Sequence, residues 1–320
     1  MNPRFAQTRD TVLLSLAVVI GVLVPPAFAL IGLPLAAAGV AGLAYRGRMA
    51  NAIIAIVVGL VGVAALDLLS GIPPVDVIFM APALAAVVAA VIALPRVSYQ
   101  WVGALLVSVL AVADGTHEYV LMRVMNETPR IVVDQMVTMM SGNPGKNAAA
   151  VQANRQLADL LLQLLPMAYF FTAFLTGVAV ILAIVWAARR SDRTVKVPRL
   201  SQLDLTPHVV WPFIVALLAL AASNSSLPYT SVMWIVGLNL LLSVRALFAL
   251  QGFGVAAGVL DRTHVGRGGR IFVLAALAAL DAVTFALSFV GLLDLWINFR
   301  HLPRDGASPQ SPTAAMSDRL

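Results

Sequence analysis

Between Met49 and Leu69 the chain reads MANAIIAIVVGLVGVAALDLL, a run with no charged side chain before Asp67. As a helix it covers about 31 Å at 1.5 Å per residue, against about 30 Å of hydrocarbon in a bilayer. Lipid offers the backbone no hydrogen-bond partner, so a run of this kind has to satisfy itself as a helix. Composition carries the same reading to the rest of the chain. Hydrophobic residues are 60% and charged residues 11%, less than half the about 25% charge with which a soluble globule hydrates its surface. The expected fold class is all-α, a polytopic transmembrane helical bundle.

Upstream, Arg4 and Arg9, the apolar run Val12 to Val24 and Ala27-Phe28-Ala29 imitate a cleavable signal peptide. The apolar character continues through Ala44, so the stretch reads as an uncleaved first crossing. Thr11 to Ala44 would measure about 51 Å as one straight helix, too long for one crossing and short for two. Pro25-Pro26 and Pro34 break it. Arg4 and Arg9 before it, and Arg46 and Arg48 after it, predict an out-and-back hairpin with both ends in the cytoplasm, where basic residues are retained. A re-entrant loop is the alternative.

Downstream, Met49 to Leu69, Val77 to Leu94 and Ser98 to about Met122 are three crossings, separated in turn by Gly71-Ile72-Pro73-Pro74 and Pro95-Arg96. Arg123 to Arg155 is mixed in charge and reads as extracytoplasmic. Within it Thr128-Pro129 caps a short helix over Arg130 to Met140, ended by Ser141 to Gly145, whose Val132, Met136, Met139 and Met140 suit a membrane surface. Leu157 to Ala188 is a long crossing kinked near Pro166. It ends in Arg189, Arg190, Arg193, Lys196 and Arg199, a cluster that fixes the cytoplasmic side. Pro207 to Ser223, Thr230 to Leu260 and Ile271 to Ile297 bring the total to about eight to nine crossings.

The expected organisation is a cytoplasmic N-terminus over residues 1–10 and an N-terminal transmembrane bundle over 11–122. An extracytoplasmic amphipathic segment over 123–156, a C-terminal transmembrane bundle over 157–299 and a disordered tail over 300–320 follow. The membrane expected is the bacterial inner, cytoplasmic membrane.

Several function classes fall away. Cysteine is absent, so no disulfide framework, thiolate metal site or cysteine nucleophile exists. The net charge of +6 sits in short clusters at the ends of apolar runs, which is topology control and not a nucleic-acid surface. The chain has no His-Glu-x-x-His, no Gly-x-Ser-x-Gly and no Gly-x-x-x-x-Gly-Lys, and only 4 histidines. It reads as a non-enzyme without a cofactor or metal.

Ionisable side chains cost at least ~2.5 to 3.5 kcal/mol in hydrocarbon, so those retained there are candidates. Arg245 lies about 22 Å from the cytoplasmic end of its helix and Asp281 about 15 Å into the next, antiparallel one, within an arginine's reach. With Asn239 and Gln251 on the same helix, Arg245 offers donors to a polar or anionic solute. A structural Arg245 to Asp281 pair is the reading favoured over it, because intramembrane charges commonly pair. Asp294 and Arg300 complete this set of solute-binding or structural residues. Asp114, His117 and Glu118 share one helical face and form a weaker set, favoured as interfacial. Gly254 with Gly258, and Ala38 with Gly42, are small-xxx-small pairs suited to close helix approach.

Three stretches carry a resemblance: Asn239-Leu240-Leu241-Leu242, Arg245-Ala246-Leu247-Phe248-Ala249-Leu250-Gln251-Gly252, and Gly291-Leu292-Leu293-Asp294-Leu295-Trp296-Ile297-Asn298-Phe299-Arg300. They look like the YybS-like family of uncharacterised bacterial membrane proteins, a domain of unknown function. More diffusely, Thr11 to about Trp186, with Gly32-Leu33-Pro34-Leu35 and Tyr45-Arg46-Gly47, resembles substrate-binding components of energy-coupling-factor transporters. That likeness implies a small-molecule solute, with coupling ATPase and transmembrane subunits as partners beside the lipid bilayer. The leading expectation is a membrane protein that binds or transports a small solute. The alternative is a scaffold or regulator of cell-envelope processes that docks through Arg123 to Arg155.

Overall fold

The computed structural model describes residues 3–141, 148–191, 193, 195, 197–225, 229–263 and 265–302. The described residues form eleven helices in chain order. These are α1 (Pro3–Leu23), α2 (Ala29–Tyr45), α3 (Met49–Leu69), α4 (Asp76–Ala93), α5 (Tyr99–Val124), α6 (Pro129–Ser141), α7 (Ala148–Arg190), α8 (Val210–Ser223), α9 (Thr230–Asp261), α10 (Arg267–Thr284) and α11 (Ala286–Ile297). The fold is all-α. Among the described residues six helices are long and apolar enough to cross a membrane, or seven if the bent pair α10 and α11 counts as one span. The upper expectation of about nine further requires α1 and the 14-residue α8 to cross. The expected tail beyond residue 302, and the helix stop after Ser141, lie outside the described residues.

The chain packs as two compact units, residues 1–197 with 216–243, and residues 198–215 with 244–320. In the first unit, Pro25-Pro26 ends α1 and a 3-10 turn over Pro26–Phe28 starts the return. Pro34 lies inside α2 without ending it. The two helices touch backbone to backbone: a Cβ on Gly21 would lie 2.5 Å from the Ala36 nitrogen, and one on Gly39 would lie 2.7 Å from the Leu14 carbonyl oxygen. The expected Ala38 and Gly42 contact is less direct, since Gly42 faces the Leu14 side chain.

The outward faces explain the composition. On α3, Ala52, Ala55, Gly59 and Val63 are buried while Ile53, Ile54, Val57, Val58 and Val61 are exposed. Small residues inward let helices approach, and large aliphatics outward suit lipid and not water. The α6 helix lays Val133 and Val137 on Ala158, Leu161 and Leu162 of α7. Arg130 ties the same two helices, donating to Asp134 at 3.1 Å and pairing with Asp159. Hydrogen bonds to Asp159 and then Asp134 hold the guanidinium pKa above its ordinary value.

In the second unit, the expected single crossing Ile271 to Ile297 is broken. Its two halves meet at 99°, around Phe285 at φ 58°. Nothing in the composition announces the break, because a left-handed residue at a helix junction is ordinarily glycine or asparagine. Across it α11 lies hard against α9: a Cβ on Gly291 would fall 1.9 Å from the Phe248 carbonyl oxygen, and one on Gly252 would fall 2.0 Å from that of Leu287. Gly254 and Gly258 do not mediate that approach. They make room for Arg300, whose Nη1 would lie 2.8 Å from a Cβ on Gly254.

Candidate functional site

The residues singled out from sequence separate into four groups, three of them structural locks. The first belongs to Asn239. Pro166 interrupts the hydrogen-bond ladder of α7, since it has no amide proton and its ring crowds the preceding turn. The Asn239 amide from α9 enters there, donating to the Gln163 carbonyl at 2.6 Å and accepting from the Met167 amide at 2.8 Å. Those are the two groups that an uninterrupted helix joins to each other. Trp234 Nε1 donates to the Gln163 side chain at 3.1 Å beside it.

The second group is Arg245 and Asp281. Arg245 Nη2 donates to the Asp281 carbonyl at 2.6 Å and lies 3.4 Å from its carboxylate, and the guanidinium sits 3.8 Å from the Phe285 ring centre. The carboxylate also accepts from the Ser288 amide at 3.0 Å and from its hydroxyl at 3.2 Å. Asp281 therefore caps one first-turn amide of α11, that of Ser288, from the last turn of α10. Arg245 Nε is buried without a partner among the described residues.

The third group is denser. Arg300 closes on Asp294 at 2.7 Å and donates to the Leu203 carbonyl at 2.6 Å. Gln251 donates to Asp204 at 2.8 Å and to Asp294 at 2.9 Å, and accepts from the Leu205 amide at 3.0 Å. Asp294 also takes the Phe299 amide at 2.8 Å. Gln251 and Asp294 are each 0% exposed. Arg300, which the sequence places at the head of the polar tail, is instead 8% exposed and built into this cluster. Asp204 is the member that sequence reasoning misses, because it stands in an irregular stretch with no periodicity to read.

Within the second unit, Arg245 and Gln251 do not converge on one ligand. Six residues apart, these two leave α9 in directions about 120° apart at 3.6 residues per turn, and each finds its own partners.

The fourth group is less fully paired. His117, 3% exposed, holds Asp76 through Nε2 at 2.9 Å, and Asp67 accepts the Asp76 amide at 3.0 Å. Its Nδ1 has no hydrogen-bond partner among the described residues and lies 3.8 Å from the Glu118 carboxylate. Asp114 and Glu118 are within electrostatic reach of each other and of Tyr169 on α7. Asp67 and Asp76 flank a turn in the sequence, so their meeting with His117 follows from the packing of α4 on α5. An apolar groove of about 370 Å³ runs along the same two helices, lined by Ile78, Pro82, Ala113 and Thr116 among others. Among the described residues no cluster of three or more His, Asp or Glu side chains is arranged to hold a metal ion.

Apolar helices with outward-facing aliphatics, tied together by interior polar locks, define a multi-pass α-helical membrane protein. The chain matches the family described as "Predicted membrane protein (DUF2232)" over residues 12–295 and belongs to it. No curated protein and no solved structure matches it.

Proposed function

We propose that this membrane protein binds a small cationic or hydrogen-bond-donating solute, without transforming it, where α3, α4 and α5 meet. The observation that carries the reading is His117, almost wholly buried with Nδ1 unpartnered among the described residues. A buried polar atom without a partner costs about 1–3 kcal/mol, a cost that a bound ligand removes. Asp67, Asp76, Asp114 and Glu118 surround it, and none of them pairs with an arginine or lysine among the described residues. That surplus of carboxylates favours a cation or a donor over an anion. The set Asn239, Arg245, Gln251, Asp281, Asp294 and Arg300 acts on this reading as helix locks.

The YybS-like reading and the likeness to energy-coupling-factor components belong to the same proposal. They imply a bacterial inner-membrane protein that borrows coupling ATPase and transmembrane subunits. The scaffold reading has one observation of its own, the exposed Met136, Met139 and Met140 on α6.

The test is purification in mild detergent, with mass spectrometry of retained small molecules and subunits, for the wild type and for His117→Ala. The expected result is a solute retained by the wild type and lost from the variant while both elute as the same folded species. A solute held equally by both would sink the assignment. Recovery of envelope proteins alone, with no solute, would favour the scaffold.

A further inference from the structure

The start of α1 and the ends of α2 and α7 come together in a groove of about 220 Å³, away from the His117 group. Leu13, Ala38 and Ala187 form its apolar wall, and Asp10, Arg46, Arg190 and Ser191 its polar mouth. Trp186 stands beside the mouth, half exposed, with the Arg190 guanidinium 4.2 Å from its ring centre. Aromatic rings with one polar edge settle at the level of lipid headgroups.

Charge at this end is one-sided. The described residues of the three helix ends and their turns carry Arg9, Arg46, Arg48, Arg189, Arg190 and Arg193 against Asp10. Arg46 pairs with Asp10 at 3.1 Å. Arg190 has no carboxylate partner among the described residues and leans only on Trp186. The Ser191 hydroxyl is buried and unpartnered within the described residues, although it lines the mouth.

We infer that this groove binds an anionic phospholipid, with its phosphate on Arg190, Arg46 and the Ser191 hydroxyl and an acyl chain along the apolar wall. A phosphate supplies the acceptor oxygens that arginine and a hydroxyl lack here. The apolar wall supplies what dissolved phosphate cannot use, which selects the lipid. Basic pockets between transmembrane helices on the cytoplasmic side are suited to such headgroups. The positive-inside rule assigns this end to that side.

The experiment uses the full chain in mild detergent, titrated with phosphatidylglycerol and with phosphatidylcholine of the same acyl chains and read by native mass spectrometry. Phosphatidylglycerol should survive activation as a one-to-one adduct where phosphatidylcholine is stripped. Arg190→Gln should weaken retention roughly fivefold, the weight of one basic residue at an anionic surface. It breaks no ion pair among the described residues, and elution at the wild-type position on size exclusion checks that the fold is kept. Asp10→Asn frees Arg46 and should tighten retention. Equal retention of the two lipids, an unchanged adduct in Arg190→Gln, or displacement by glycerol phosphate would each overturn the assignment.

Discussion

The Asp281 carboxylate accepts the Ser288 amide at 3.0 Å across the bend between α10 and α11, while its main-chain oxygen takes the Phe285 amide that closes α10, so one residue serves both helix ends. Arg245 reaches the same residue from α9 through its main-chain oxygen at 2.6 Å. A three-way contact of this kind explains how a 99° break persists in a segment with neither proline nor glycine at the turn.

Asp281→Ala removes the cap and leaves Arg245 without its carboxylate. Breaking a buried pair from one side costs about 3–5 kcal/mol, and denaturation in detergent micelles followed by circular dichroism should show a loss of that order. Asp281→Asn keeps an acceptor for the Ser288 amide and should lose less. Equal stability of Asp281→Ala and the wild type would mean that the bend is held by other contacts.

For the Arg300 cluster the sign of the double variant is the informative quantity. Arg300→Leu strands Asp294, which is 0% exposed, and should destabilise by about 3–5 kcal/mol, whereas replacing both partners by leucine should recover much of that loss. Unfolding midpoints of the two single variants and the double variant, compared in one detergent, decide it. Additive losses would contradict a paired lock.

Much of this is legible in the sequence, and what is not has identifiable causes. Apolar runs such as Met49 to Leu69 declare helices because lipid leaves the backbone no alternative. The Arg245 and Asp281 partnership follows from their depths on adjoining antiparallel helices. The Phe285 bend is invisible, since a left-handed phenylalanine carries no compositional signal and depends on Asp281 and Ser288, seven residues apart, and on Arg245 from another helix. Gly254 and Gly258 mislead for a related reason. A glycine pair announces space, but only the fold says that an arginine side chain fills it. Asp67, Asp76 and His117 meet through helix packing, which spacing along the chain does not encode.

Asn239 and Pro166 should be energetically coupled. Asn239→Ala leaves the Gln163 carbonyl and Met167 amide unpartnered, at about 1–3 kcal/mol. In a Pro166→Ala background the α7 ladder can close on itself, so the same substitution should cost less. A double-mutant cycle with coupling of about 0.5–3 kcal/mol is expected; no coupling would mean that the amide merely touches α7.

Gly291→Ala should be the most damaging single methyl in the second unit. Its Cβ would lie 1.9 Å from the Phe248 carbonyl oxygen, which is backbone and cannot rotate away. Gly266→Ala meets nothing within 4 Å and serves as the control. The yield of monodisperse protein after size exclusion should collapse for the first and hold for the second.

The α7 helix is 43 residues long, about 64 Å at 1.5 Å per residue, roughly twice the about 30 Å of a hydrocarbon core. A single rod thus serves as anchor and mast, and α6 is moored to its outer reach through Val133, Val137 and Arg130. Membrane helices lean to match the lipid around them, and a mast converts lean into sideways travel of whatever it carries. A rod that tilts to match a thinner or thicker bilayer would carry α6 with it.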